Sequence, residues 1–318
     1  MHSSIYFTKI STENIETLFD KLFDLKFSQM DIDTDDLDAY KIPINHLLIK
    51  NVIKKGGNFS IVIRISDNVS FGCSSKYNYI VCNELKYDDK LIQYVFEMDL
   101  ANLTYIARDF PEYNIFRTAT AIDIGYWKDK NIPIPQPMVY IPEFSFTDTN
   151  YKKLSLEHIP SHAHFFKDIN SNELTFEACW QMYFGKIYYK YIPKPLFDVF
   201  TDCEENIILE HGIRRITLYK DPNDFGKPHS TARQWAFRRQ LGIDSIGHEL
   251  TYNSNRIEPT YLPVLITKKN CTKGQTKVTR FLDKNNQLVD GDKAVYKEVK
   301  EYLDDGVTVV FEEITEIN

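Results

Sequence analysis

Residues 205–221 read ENIILEHGIRRITLYKD. Two runs rich in Ile, Leu and Thr flank His211-Gly212, and glycine is the residue that best tolerates the positive φ of a tight turn. This is the strongest hairpin signal in the chain, and it makes antiparallel pairing the local rule. Working outward, STARQWAFRRQLG (230–242) reads as a helix capped by Ser230 or Thr231 and ended by Gly242. TKVTRFLD (276–283) reads as a strand and KNNQ (284–287) as a turn. GDKAVYKEVKEYLDDG (291–306) reads as a helix and VTVVFEEITEI (307–317) as a strand. On the other side, KPLFDVFTD (194–202) suits a short helix with Pro195 in its first turn, and LTFEACWQMYFGKIYYKYI (174–192) a strongly apolar one.

Nearer the N-terminus, SIYFTKI (4–10) has the pattern of a short strand. Ser11-Thr12 then cap a helix carrying Leu18, Phe19, Leu22, Phe23 and Leu25. DIDTDDLDAY (31–40) is expected to be a loop. HLLIKNVIKK (46–55) and FSIVIRISD (59–67) are expected to be strands around a turn at Gly56-Gly57. YNYIVCNELK (77–86) and LIQYVFEMD (91–99) are expected to be strands, and DLANLTYIARDF (99–110) a helix. Strands and helices do not alternate regularly. The expected class is therefore α+β, mainly antiparallel sheets with flanking helices, arranged in two lobes.

The segment NIPIPQPMVYIPEF carries Pro133, Pro135, Pro137 and Pro142. Proline fixes φ and removes a donor, so this stretch is an extended connector. It divides the chain into an acidic α+β unit at 1–130, a connector at 131–150 and an α+β unit at 151–318.

Composition narrows the function. Only 12 of 318 residues are Gly, against 20 Tyr and 21 Phe. Phosphate cradles need clustered glycines opening a helix, and none occurs, so a nucleotide-binding loop is not expected. The net charge is −7. Residues 1–150 hold 15 basic and 21 acidic side chains, and residues 151–318 hold 23 and 24. That distribution disfavours nucleic acid and favours a basic protein partner. Neither a membrane span nor an export leader is legible, which points to the cytoplasm. The five cysteines, at 73, 82, 179, 203 and 271, form no CxxC pair, and free buried thiols are expected.

Three side-chain constellations stand out. The first is Asp31, Asp33, Asp35, Asp36 and Asp38. The spacing of Asp31, Asp33 and Asp35 imitates a calcium loop, but Asp36 stands where glycine is needed and Ile42 where glutamate is needed. The run is otherwise a solvated loop or one that receives a cationic partner, and these five residues are taken as the partner-binding set. The second is EHIPSHAHFFKD (157–168), with His158, His162 and His164 as candidate metal ligands. The HxHxDH pattern of metallo-β-lactamases is not met, because Phe166 occupies the acid position. The third is Arg214, Arg215, Arg233, Arg238 and Arg239 around Trp235 and Phe237. The helix that carries the last three must pack its aromatics, so these arginines are expected to pair with carboxylates such as Asp221, Asp224 or Asp244.

No GxSxG, SxxK or HExxH motif occurs. The expected function is thus a non-catalytic protein-binding protein without a cofactor, concretely an immunity or inhibitor protein that neutralises a basic toxin or nuclease. Two alternatives are a metal-dependent hydrolase built on the three histidines and a phage or viral assembly component.

Overall fold

The structure is a computed structural model. It describes residues 2–7, 16–17, 19–21, 27–66, 69–74, 79–82, 92–93, 103–109, 164–167, 173–224, 227–246 and 263–317. The protein is a mixed α+β fold built on antiparallel sheets.

The first sheet has six strands. They are β1 (His2–Phe7), β6 (Tyr79–Cys82), β7 (Leu103–Asp109), β10 (Gln181–Phe184), β11 (Glu205–Ile208) and β12 (Arg214–Thr217), in the order β11-β12-β10-β7-β1-β6. The 205–221 hairpin forms as read, with Arg214 opposite Ile208 and positive φ at both His211 and Gly212. A second sheet contains β2 (Gln29–Thr34), β3 (Asp38–Pro43), β4 (Phe59–Ser66) and β5 (Val69–Ser74), in the order β3-β2-β4-β5. A third runs in sequence order through β13 (Val264–Thr267), β14 (Thr276–Leu282), β15 (Tyr296–Tyr302) and β16 (Val309–Glu316). β8 (His164–Lys167) pairs with β9 (Glu173–Phe176) in a two-stranded ribbon. The proline-rich connector at 131–150 lies outside the described residues. The strands β7 and β10, one on each side of it, are hydrogen-bonded neighbours.

Among the described residues the helices α1 (His46–Lys55), α2 (Lys194–Asp198) and α3 (Pro228–Leu241) flank the sheets. Their sequence signals differ in clarity. Pro195 opens α2 as expected, and Gly242 ends α3 in the left-handed region. The cap of α3 is corrected. The helix starts at Pro228, so Ser230 is buried inside its first turn.

The larger corrections share a cause. Segment 46–55 is a helix and not a strand. Asn45 Oδ1 accepts from the Leu48 N–H at 3.0 Å, and Ile49 and Ile53 fall one turn apart on the buried face. Segment 99–110 contains a strand and not a helix. Tyr105, Ile106 and Ala107 are all fully buried, so both faces of β7 are apolar and the period-2 signal vanishes. Segment 174–192 fails for the same reason. It is β9, β10 and a 3-10 turn at Lys186–Lys190. Segment 291–306 is a short 3-10 turn followed by β15. Its alternating charges pair across strands, Arg280 with Glu298 at 3.1 Å and Lys300 with Glu312 at 3.0 Å. The expected acidic loop is the β2–β3 hairpin. In the expected strand 91–99, Ile92 and Gln93 are helical.

One aromatic core joins the first and third sheets to α3. Phe184 contacts Tyr105, Tyr188 and Phe197 at ring-centroid distances of 5.2, 5.1 and 5.1 Å, and Phe237 stacks on it at 6.1 Å. Val264, Ile266, Val278 and Tyr302 close this core from the third sheet. The second sheet has its own buried set, with Met30, Ile32, Ile61 and Ile63 on strands and Ile49 and Ile53 on α1.

A carboxylate nest fixes the start of the third sheet. Glu301 is 1% exposed and accepts from the backbone N–H groups of Thr272, Lys273 and Gly274 at 2.6–2.9 Å. Desolvation pushes its carboxyl up, but the three N–H donors outweigh that and hold it below the ordinary value of 4.5. A depressed folded-state pKa contributes stability that is complete above the unfolded value and is lost as pH falls through the folded one. Glu301→Gln should therefore cost about 1–3 kcal/mol at neutral pH and flatten the loss of stability below about pH 4.5. Urea unfolding of both proteins between pH 3 and 7 checks this. Parallel curves would show that the nest carries no linked proton.

Candidate interaction surface

The β2–β3 hairpin brings the five aspartates onto one region without making them equivalent. Alternation along β2 buries Met30 and Ile32 and turns Asp31 and Asp33 to the outer face. Met30 opposes Ile42 and Ile32 opposes Ala39, so Tyr40 and Lys41 together face Asp31 across a bulge. Lys41 takes φ +52° there and donates its N–H to Asp31 Oδ1 at 2.7 Å. Arg64 Nε donates to Asp31 Oδ2 at 3.2 Å, and the Asp31 side chain is only 14% exposed. Burial raises the Asp31 carboxyl, and the Arg64 and Lys41 donors overcome it and lower the pKa. Asp31 is thus a structural anchor of the hairpin.

The other four carboxylates are exposed. Asp36 pairs with Lys55 at the end of α1, and Asn58 Nδ2 reaches Asp35 Oδ1 at 3.5 Å. Asp33 stands directly opposite Asp38 in the register. Like charges so placed repel, and Asp33 has no ion-pair partner among the described residues. The bulge leaves Tyr40 65% exposed beside them. Its hydrogen bond to Asp38 and the Asp38 charge, with a smaller push from desolvation, Asp33 and Asp31, raise the phenol's pKa. Leu37 lies exposed at the turn. Two uncompensated carboxylates, one aromatic and one aliphatic side chain therefore share this end of the hairpin. The bulge that aims Tyr40 is not legible in the sequence.

Among the described residues no group of three His, Cys, Asp or Glu is placed to hold a metal. His158 and His162 lie outside the described residues. His164 opens β8 opposite Phe176. Cys179, Cys203 and Cys271 are not in disulfides.

The arginine constellation is neutralised. Arg215 makes a two-pronged pair with Glu205 at 2.6 and 2.7 Å. Arg214 pairs with Asp198, Arg233 with Glu204, Arg238 with Asp244 and Arg239 with Asp290. Of the expected partners only Asp244 is used. Asp221 instead accepts from Asn223, and Asp224 pairs with Lys227 and lies 3.3 Å from His229.

Sequence reading also missed a polar row across the six-stranded sheet. Arg108, Gln181, Thr217 and Glu205 are register neighbours on four adjacent strands. Arg108 donates to Gln181 Oε1 at 2.8 Å, Tyr183 donates to the same oxygen at 3.1 Å, and Gln181 Nε2 donates to Thr217 at 2.9 Å. Each residue is separated from the next by many positions, so no local spacing marks the row. Its hydrogen bonds are mutual, and it serves to pin the register.

A cleft of about 400 Å³ lies under the β15–β16 turn, walled by Tyr189, Ile208 and Val307. Two of its lysines are paired, Lys190 with Asp304 at 2.8 Å and Lys194 with Asp198 at 2.7 Å. Among the described residues no helix is long and apolar enough to cross a membrane. Comparison with protein-family models, curated proteins and solved structures finds no match.

Proposed function

We propose that the protein is a non-catalytic binding protein whose β2–β3 hairpin receives a basic protein partner. The immunity or inhibitor role, in which it occludes a basic toxin or nuclease, is the concrete form of this reading. The observation that carries it is the opposed pair Asp33 and Asp38 beside the exposed Tyr40. Two carboxylates held across a strand pair repel one another in the free protein, and a lysine or arginine between them relieves that repulsion. Tyrosine adds contact area at low entropic cost. Asp35 and Asp36 extend the negative field, while Asp31 holds the hairpin in shape.

The test separates these roles. Asp33→Asn/Asp38→Asn/Tyr40→Ala should keep the melting temperature within about 3 °C, since each side chain is exposed. It should abolish a salt-sensitive, stoichiometric complex recovered from the native host at low ionic strength. Asp31→Asn should instead lower stability by about 1–3 kcal/mol by leaving Arg64 without its carboxylate. A complex that survives the triple variant unchanged removes the hairpin from the interface.

A further inference from the structure

The third sheet treats its two edges differently. At β13 the outward peptide group is satisfied, because the Ile266 N–H donates to Ser245 Oγ at 2.8 Å and the Ser245 hydroxyl returns to the Ile266 carbonyl at 3.3 Å. Beside the β11 edge of the six-stranded sheet, the Asn206 side chain ties the strand to the α2 segment, with Nδ2 donating to the carbonyls of Phe197 and Phe200 at 2.7 and 2.9 Å. The edge at β3 is blunted by the Tyr40–Lys41 bulge and by Pro43.

β16 has none of these devices. The Phe281 N–H donates to the Pro263 carbonyl at 2.9 Å, so Phe281 faces β13 and its neighbour Leu282 faces Tyr296; the alternate residues Lys297 and Val299 of β15 then face β16, as does the Val295 carbonyl, which accepts from the Ile317 N–H at 2.7 Å. Hydrogen-bonded pairs alternate along an antiparallel ladder. The backbone groups of Glu312, Ile314 and Glu316, which stand opposite Lys300, Glu298 and Tyr296, therefore point away from β15. They have no hydrogen-bond partner among the described residues. Residues 312–316 are exposed without interruption, and Ile314 is 60% exposed. The one register shift lies at Glu301/Tyr302, beside Val309, so Phe311–Glu316 runs straight and contains no proline or lysine. Its charges are all acidic. Glu312 is shared with Lys300, whereas Glu313 and Glu316 have no ion-pair partner among the described residues.

We propose that β16 is a docking edge that takes an extended, basic segment of a partner protein as a fifth strand of this sheet. Main-chain hydrogen bonds to Glu312, Ile314 and Glu316 supply the pairing, and alternate side chains supply the selection. Charge decides the occupant. A second copy of β16 laid antiparallel about Ile314 would set Glu312 against Glu316 at both ends, which opposes self-pairing. A strand that alternates Lys or Arg with apolar residues sets its cations on the Glu313 face and its apolar side chains on the opposite face, so that it neutralises Glu313 and covers Ile314. This edge is distinct from the β2–β3 hairpin and does not depend on it.

The probe is a fluorescent eight-residue peptide alternating lysine and valine, with a glutamate–valine peptide of the same length as control. Both are titrated into the full chain and followed by fluorescence anisotropy. The lysine peptide should bind and the glutamate peptide should not, and binding should slow amide exchange at Glu312, Ile314 and Glu316. Ile314→Pro removes an outward N–H without touching the β15 ladder, and it should weaken binding at least tenfold. Glu313→Lys/Glu316→Lys alters only exposed side chains and should weaken it similarly, which keeps the test decisive should the proline variant fail to fold. Unchanged affinity in the glutamate-to-lysine variant, or protection confined to other residues, overturns the proposal. So does a dimer in light scattering that Ile314→Pro dissociates, because the edge would then belong to a second copy.

Discussion

Gly306→Ala is expected to lower the melting temperature by about 5–15 °C, and more than the superficially similar Gly56→Ala, which lowers it by about 2–8 °C. Both glycines hold positive φ, at +65° and +69°. They differ in what surrounds them. A Cβ at position 306 would fall 1.7 Å from the Tyr189 carbonyl oxygen, whereas a Cβ at position 56 would meet nothing within 4 Å. Positive φ costs a non-glycine residue about 1–3 kcal/mol at either site, and at Gly56 the ψ of −160° lies in a region essentially reserved for glycine. Only at 306 does a rigid backbone obstacle add the further cost of overpacking, about 1–3 kcal/mol. The clash matters because this turn seats the third sheet on the rest of the protein. Gly306 accepts from the Lys194 N–H at 2.8 Å, and Lys190 pairs with Asp304 across the same junction. Paired thermal melts decide the matter. Equal losses for the two variants would mean that the junction can separate without consequence.

Asp244→Ala is expected to cost about 3–5 kcal/mol. Its partner Arg238 is 0% exposed on α3, with Nε 3.2 Å from Asp244 Oδ2 and its guanidinium 5.8 Å from the Trp235 ring centroid. Removing the carboxylate leaves a desolvated cation beside an aromatic core. The double variant Arg238→Met/Asp244→Ala removes both charges and should recover most of the loss, since a buried pair gains little over apolar residues of similar volume. Urea unfolding of the two variants measures the difference. An Asp244→Ala protein within about 1 kcal/mol of the parent would show that water reaches the guanidinium.

The sequence makes some elements plain and hides others for physical reasons. The 205–221 hairpin, β4, β14 and β16 are legible because turn residues or one-sided burial mark them. The Arg238–Asp244 pair is legible because an aromatic-rich helix cannot leave its arginines unpaired. β7, β9 and β10 are not, since burial on both faces erases the alternation that separates a strand from a helix. α1 is hidden by its β-branched residues, and only the Asn45 cap and the Ile49/Ile53 spacing reveal it. The acidic run is visible as a cluster. Its division into a half-buried anchor at Asp31 and exposed carboxylates at Asp33 and Asp38 depends on a bulge and on Arg64, 33 positions away. The openness of β16 is a property of the sheet order, which no local pattern records.

The order of strands in the six-stranded sheet also sets a timetable for biosynthesis. β7 ends at Asp109, and its neighbour β10 ends at Phe184. A ribosome adding 5–20 residues per second needs about 4–15 s to make the intervening chain. Throughout that interval a nascent chain that has already paired β1 with β6 and β7 presents the far side of Tyr105, Ile106 and Ala107 as a bare apolar edge. The emerging polypeptide is most in need of chaperone cover there, before the second half of the sheet exists to close over it.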